Sequence, residues 1–145
     1  MEILKEYFGK TKNNESVYEY TLINDNSAFI KVLNYGGIIT EISVPDKNGT
    51  HENVVLGLDK IEDYEEKSPC FGALIGRTAG RISNASFTID DTKFSLEANN
   101  FNSNLHGGPN GFNNQIWNVS QSIEKDSTSL EFSYSSLDGD QGFPG

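Results

Sequence analysis

No window of eleven residues in this chain carries apolar side chains at the i, i+3, i+4, i+7 spacing of an amphipathic helix. Short β-branched and aromatic runs, broken by turn residues, take its place. Val17–Ile23, Ala28–Leu33, Ile38–Val44, Asn53–Leu56, Ser86–Ile89, Lys93–Leu96, Gln115–Ser120 and Thr128–Tyr134 are all of strand length. In the third run Ile38, Thr40, Ile42 and Val44 alternate with Glu41 and Ser43, which predicts one face on a core and one nearer solvent. Sixteen Asn, 15 Ser and 14 Gly work against helix interiors. The best helical stretch is Lys60–Lys67, about a single turn. The expected fold is all-β and antiparallel, a sandwich or barrel.

The punctuation fits hairpins. Asp46–Gly49, Ile89–Lys93 and Glu124–Ser127 each read as a tight turn between strands. There is no internal repeat and no interdomain linker, so the 145 residues read as one domain. The segment Glu97–Asn114 stands apart: 18 residues without strand pattern. Loops of that length are usually functional or disordered. Phe101, Leu105, His106 and Phe112 supply anchors, so an ordered binding loop is expected.

A net charge of −10 repels phosphate backbones and anionic bilayers, so nucleic acid and membrane surfaces are excluded as expected partners. A neutral small molecule is compatible with it. The longest apolar stretch, Phe71–Gly76, is far short of the ~20 residues that span a bilayer. The N-terminus has no signal-peptide pattern. The one cysteine, Cys70, cannot form an internal disulfide, which points to a reducing, cytoplasmic setting. Two histidines 55 positions apart offer no metal spacing, and no cofactor motif is present.

Two constellations could carry chemistry. In Leu105-His106-Gly107-Gly108, two glycines leave room beside an imidazole, which either serves a ligand or is a loop histidine before a turn. In Gly76-Arg-Thr-Ala-Gly-Arg-Ile82, Arg77 and Arg81 offer donor forks to sugar hydroxyls or carboxylates, or else satisfy backbone carbonyls and acidic neighbours. His51, at the exit of a turn, reads as solvated surface. Trp117, Phe71 and Tyr64 are sugar-stacking candidates or simply core. The paired Asp138 and Asp140 near the end read as turn chemistry, because no bidentate Glu follows.

The order of motifs carries a resemblance. Asn34-Tyr-Gly-Gly37, Pro45-Asp46 with Gly49, Val54-Val-Leu-Gly57, Tyr64, Phe71-Gly-Ala-x-Ile-Gly-Arg-x-Ala-x-Arg-Ile82, Asn104-Leu-His-Gly-Gly108, Gly111-Phe112, Trp117, Asp138-Gly and Gly142-Phe-Pro-Gly145 follow in succession. The chain resembles the N-terminal part of the aldose 1-epimerases (galactose mutarotases). The resemblance implies a large antiparallel β-sandwich, here truncated, and interconversion of the α and β anomers of free hexoses such as galactose and glucose. It implies sugar binding by Arg81. It also implies that His106 is the first of two active-site histidines, with Phe112 and Trp117 structural and no cofactor. One departure is Gly80, where many members place Asn. The family's second histidine, sugar-binding aspartate and catalytic glutamate have no counterpart, so a fragment lacking its acid and base is expected. Such a piece would self-associate through unpaired sheet edges. A non-catalytic carbohydrate-binding module, a pseudo-enzyme fragment and a hexose-6-phosphate epimerase are the alternatives.

Overall fold

In the computed structural model, which describes residues 1–145, every paired strand is antiparallel. The chain divides into two compact units: Met1–Ala73 with Ile116–Tyr134, and Leu74–Gln115 with Ser135–Gly145. No helix is long and apolar enough to cross a membrane.

The first unit is built on a five-stranded meander. Its strands are β1 (Glu2–Lys10), β2 (Ser16–Ile23), β3 (Phe29–Leu33), β4 (Ile39–Pro45) and β5 (His51–Asn53), paired in chain order. The single helix, α1 (Ile61–Glu66), buries Ile61 and Tyr64, three residues apart and hence on one face. These two close a core with Val17, Leu33, Tyr35 and Ile38. The helix comes close because β1 bulges. Tyr7 pairs with Tyr18 and Gly9 with Val17, which leaves Phe8 as the extra residue. A Cβ at Gly9 would stand 2.8 Å from Ile61 Cγ2, while the Phe8 ring lies 6.3 Å from that of Tyr64.

Several sequence expectations are corrected here. The reading assigned no strand to Glu2–Lys10, although it is the longest in the chain. Its apolar residues fall on both faces, as suits an exposed edge. The alternation expected over Ile38–Val44 breaks at Thr40. Lys31 pairs with Glu41 and Val32 with Ile39, so Thr40 is a bulge residue. Thr40 and Ser43 are buried and Val44 is exposed. The Thr40 hydroxyl donates to Glu19 Oε1 at 2.7 Å, which satisfies it. Beside it Lys31 bridges Glu41 at 3.2 Å and Glu19 at 3.8 Å. Burial alone would lower the Lys31 pKa, but these carboxylates lift it above the ordinary value.

The run Asn53–Leu56 is not a strand. Pairing ends at Asn53, whose Oδ1 accepts from both Ile42 N–H and Val55 N–H and turns the chain off the sheet. The expected strand Gln115–Ser120 is divided. Ile116 bridges to Tyr35 and Trp117 N–H donates to the Asn34 carbonyl, before β10 (Asn118–Ile123) pairs with β11 (Thr128–Ser133). The turn at Asp46–Gly49 forms as expected: Asp46 Oδ1 accepts from the N–H groups of Asn48 and Thr50.

The second unit contains β6 (Arg81–Ile82) paired with β9 (Asn104–Leu105), and the hairpin β7 (Ser86–Ile89) with β8 (Thr92–Ser95). Phe87 stacks on Phe94 at 5.5 Å and on Phe143 at 5.9 Å, forming its aromatic centre. Asp90 takes positive φ in the two-residue turn of the hairpin.

Candidate functional site

The β6–β9 ladder brings the two predicted site residues together. Arg81 faces Leu105, so His106 falls opposite Gly80. His106 N–H donates to the Gly80 carbonyl at 2.9 Å. In an antiparallel hydrogen-bonded pair, Gly80 N–H would answer to the His106 carbonyl. It turns instead to the imidazole, with Gly80 N to His106 Nδ1 at 3.1 Å. Nδ1 is therefore an acceptor, and in the neutral ring this assigns the proton to Nε2. The imidazole is half-buried, and its Nε2 is left as the hydrogen-bond donor. His106 itself sits at φ 56°.

Arg81 is exposed, and its Nε donates to Asn100 Oδ1 at 2.9 Å. The grip on Nε leaves both terminal guanidinium nitrogens without a protein partner, ready for oxygen ligands. Arg77 is different. It donates to Ser136 Oγ (2.9 Å), Ser136 carbonyl (3.1 Å), Leu137 carbonyl (2.7 Å) and Pro144 carbonyl (2.9 Å). The expectation left open for both arginines thus resolves in opposite directions. Arg77 ties the segment Ser135–Gly145 to the irregular stretch before β6. Arg81 presents its fork.

The loop Glu97–Asn114 is ordered, as anticipated, but it contains regular structure that the sequence did not show: β9 and a 3₁₀ turn at Phe112–Asn114. Side-chain amides do the work of missing ladders. Asn99 Oδ1 accepts Leu105 N–H at 2.7 Å and its Nδ2 donates to the Leu105 carbonyl at 3.0 Å, standing in for a third strand beside β9. Asn104, 1% exposed, donates to the Glu97 carbonyl at 2.9 Å. Asn114 and Gln115 donate to the carbonyls of Pro109 and Asn110. Seven of the sixteen asparagines lie in this segment, which explains why a chain so rich in Asn is not disordered there. The Gly107 backbone passes so close to Gly76 that a Cβ would strike the Gly76 carbonyl, and a Cβ at Gly76 would strike the Phe112 ring. Phe101, expected as an anchor, is 96% exposed and anchors nothing.

Other candidates fall away from the site. Tyr64 is core, its hydroxyl accepting from Leu58 N–H at 2.7 Å. Trp117 packs on Tyr134, with ring centroids 5.6 Å apart. His51 is exposed on β5. Asp138 and Asp140 serve turn geometry, accepting from Gly145 N–H and Ser136 Oγ. Asn99, Asn100 and the Gly80 amide were missed. Their signal was the run of asparagines before His106, inside the loop expected to bind.

The β6–β9 ladder thus carries an arginine fork and an oriented imidazole in an antiparallel β-rich chain. The aldose 1-epimerase family profile matches residues 18–145, and the chain belongs to that family. It is 34% identical to a galactose mutarotase of Bos taurus and 37% identical to an aldose 1-epimerase of Streptococcus thermophilus. Both matches cover the whole chain and 41% of the relative. A galactose 1-epimerase crystal structure from Lactobacillus acidophilus superposes with a TM-score of 0.85 at 27% identity, covering all of this chain and 42% of that one. The chain thus spans about two fifths of the length of these relatives.

Proposed function

We propose that the protein is an aldose 1-epimerase acting on free hexoses such as galactose and glucose, and that this chain supplies part of its sugar site. In the reaction, a base removes the proton of the anomeric hydroxyl. The bond from C1 to the ring oxygen breaks, and an acid protonates that oxygen. The aldehyde then rotates and the ring recloses on either face. Positioned acid and base groups contribute on the order of 10²–10⁴-fold each.

Neither proton-transfer role is assigned to a residue of this chain. Arg81 donates to sugar hydroxyls with its two terminal nitrogens. His106 donates from Nε2 towards the ring oxygen, where negative charge develops as the ring opens. The observation that carries the reading is the Gly80 N–H on Nδ1, which makes the imidazole a donor on the same ladder that carries the free guanidinium fork. The commitment of Arg77 to carbonyls removes the second cation that a hexose-6-phosphate epimerase would turn on phosphate.

Polarimetry on freshly dissolved α-glucose tests the proposal in the full-length protein. His106→Ala is expected to slow mutarotation by at least 100-fold. His106→Gln, which retains a donor, is expected to recover part of the rate. An unchanged rate in His106→Ala refutes the assignment. The single cysteine suits a cytoplasmic location, which cell fractionation checks. The unpaired outer edge of β1, with Leu4 and Tyr7 exposed, supports self-association of an isolated 1–145 chain. Size-exclusion chromatography showing a sharp monomer would argue otherwise.

A further inference from the structure

We propose that Asn100 is a positioning residue for Arg81: its side-chain amide sets the plane of the guanidinium that meets the sugar. The inference rests on the hexose reading above and adds to it a residue that acts through Arg81. Asn100 Oδ1 accepts from Arg81 Nε at 2.9 Å. Nε is the guanidinium nitrogen joined to the side-chain stem, so an acceptor there sets the rotation of the whole planar group. The two terminal nitrogens then act as one rigid fork, although the side chain that carries them is long and exposed.

Asn100 can do this because it is itself held. Its N–H donates to the Ser103 carbonyl at 3.1 Å, and Ser103 N–H returns to its carbonyl at 3.0 Å. The residue before it, Asn99, bonds both backbone groups of Leu105, which pairs with Arg81. These contacts close a circuit. It runs from Arg81 across the ladder to Leu105, through the Asn99 amide to Asn100, and back through Oδ1 to Arg81 Nε. A side chain held at its root by the ladder, and at Nε by a residue anchored to the same ladder, has little freedom left to lose on binding.

The kind of partner matters too. The chain has 21 acidic residues against 11 Lys and Arg, yet none of its ion pairs includes Arg81. A carboxylate would bond the guanidinium through two nitrogens and cancel its charge. The Asn100 carbonyl oxygen fixes Nε and leaves the positive charge in place for a ligand's oxygens.

Nuclear magnetic resonance on the full-length protein, titrated with galactose, tests this. In the wild type the Arg81 Nε–H is expected to exchange with water measurably more slowly than that of a solvated arginine. Asn100→Ala is expected to remove that protection and weaken galactose binding about 3- to 10-fold, the range for ordering one long side chain. In an Arg81→Lys background, which keeps the charge but has no guanidinium Nε–H, Asn100→Ala is expected to weaken binding no further. Asn102→Ala, in the same turn but bonded to Asn84, is expected to bind like wild type. An unprotected Nε–H in the wild type overturns the proposal. So does an Asn102→Ala variant that binds as weakly as Asn100→Ala, which would assign the effect to the turn. If Arg81→Ala loses binding while Asn100→Ala binds like wild type, the positioning role is overturned and the hexose reading stands. Wild-type affinity in Arg81→Ala, or no response to galactose in the wild type, overturns the hexose reading and the positioning role with it.

Discussion

Gly107→Ala offers a sharp test of how the histidine loop is held. Gly107 has φ 85°, and a Cβ there would run into the carbonyl oxygen and carbon of Gly76. Two costs follow. An L-residue in the left-handed region costs roughly 1–2 kcal/mol. Forcing a methyl against backbone that is itself hydrogen-bonded to Phe112 N–H costs roughly 1–3 kcal/mol more, because a backbone carbonyl cannot swing aside as a side chain can. The expected loss is about 2–5 kcal/mol, a fall in melting temperature of roughly 6–15 °C at about 3 °C per kcal/mol for a chain of this size. Gly139→Ala is the control. Gly139 lies in the same unit at φ 82°, but a Cβ there meets nothing within 4 Å. It carries only the conformational cost, about 3–6 °C. Thermal unfolding followed by circular dichroism measures both variants in one transition. Melting points for Gly107→Ala and Gly139→Ala within about 1 °C of each other would refute the close approach of residues 76 and 107. A displaced loop should also move His106. Loss of the Nδ1-acceptor signature in ¹⁵N spectra, with His51 unchanged as internal reference, is the matching local readout.

Arg77→Lys keeps the charge but cannot reproduce four hydrogen bonds from one planar fork, so a loss of about 2–4 kcal/mol is expected in chemical denaturation. A variant as stable as wild type would show that the clamp on Ser135–Gly145 is dispensable. Burial pushes the Tyr35 hydroxyl up to about 12, helped by the charges of Glu65 and Glu15, and raises Tyr64 in the same direction. A phenol whose folded pKa exceeds its unfolded value of about 10 stabilises the fold fully below pH 10. That stability is lost as pH rises towards 12, by about 2–3 kcal/mol for Tyr35. Melting temperatures that stay flat between pH 10 and 12, with phenolate absorbance followed in parallel, would contradict that burial.

The strands whose side chains alternate were legible because period-two patterning is a local property: β7 matches the sequence expectation residue for residue, and β2, β3 and β11 nearly so. Helix α1 was legible from the absence of any longer helical stripe. β1 was not, because an edge strand with apolar residues on both faces carries no alternation, and its register depends on pairing with β2. Thr40 was placed on the right face for the wrong reason. A bulge is a mismatch between two strands, and neither strand encodes it alone.

The same division runs through the site. Local composition determined that His106 sits among glycines and that Arg81 lies in a short basic motif, and the ordered succession of those motifs determined the family. Which arginine is free was decided by tertiary structure alone. Arg77 and Arg81 are chemically identical and four residues apart, and only the return of Ser136–Pro144 consumes one fork and leaves the other. The proton on His106 Nε2 was decided the same way. A side chain's tautomer follows from the group facing it, here the Gly80 amide delivered by pairing residues 26 positions apart. Hydrogen-bond geometry of that kind exists only once the chain has closed on itself.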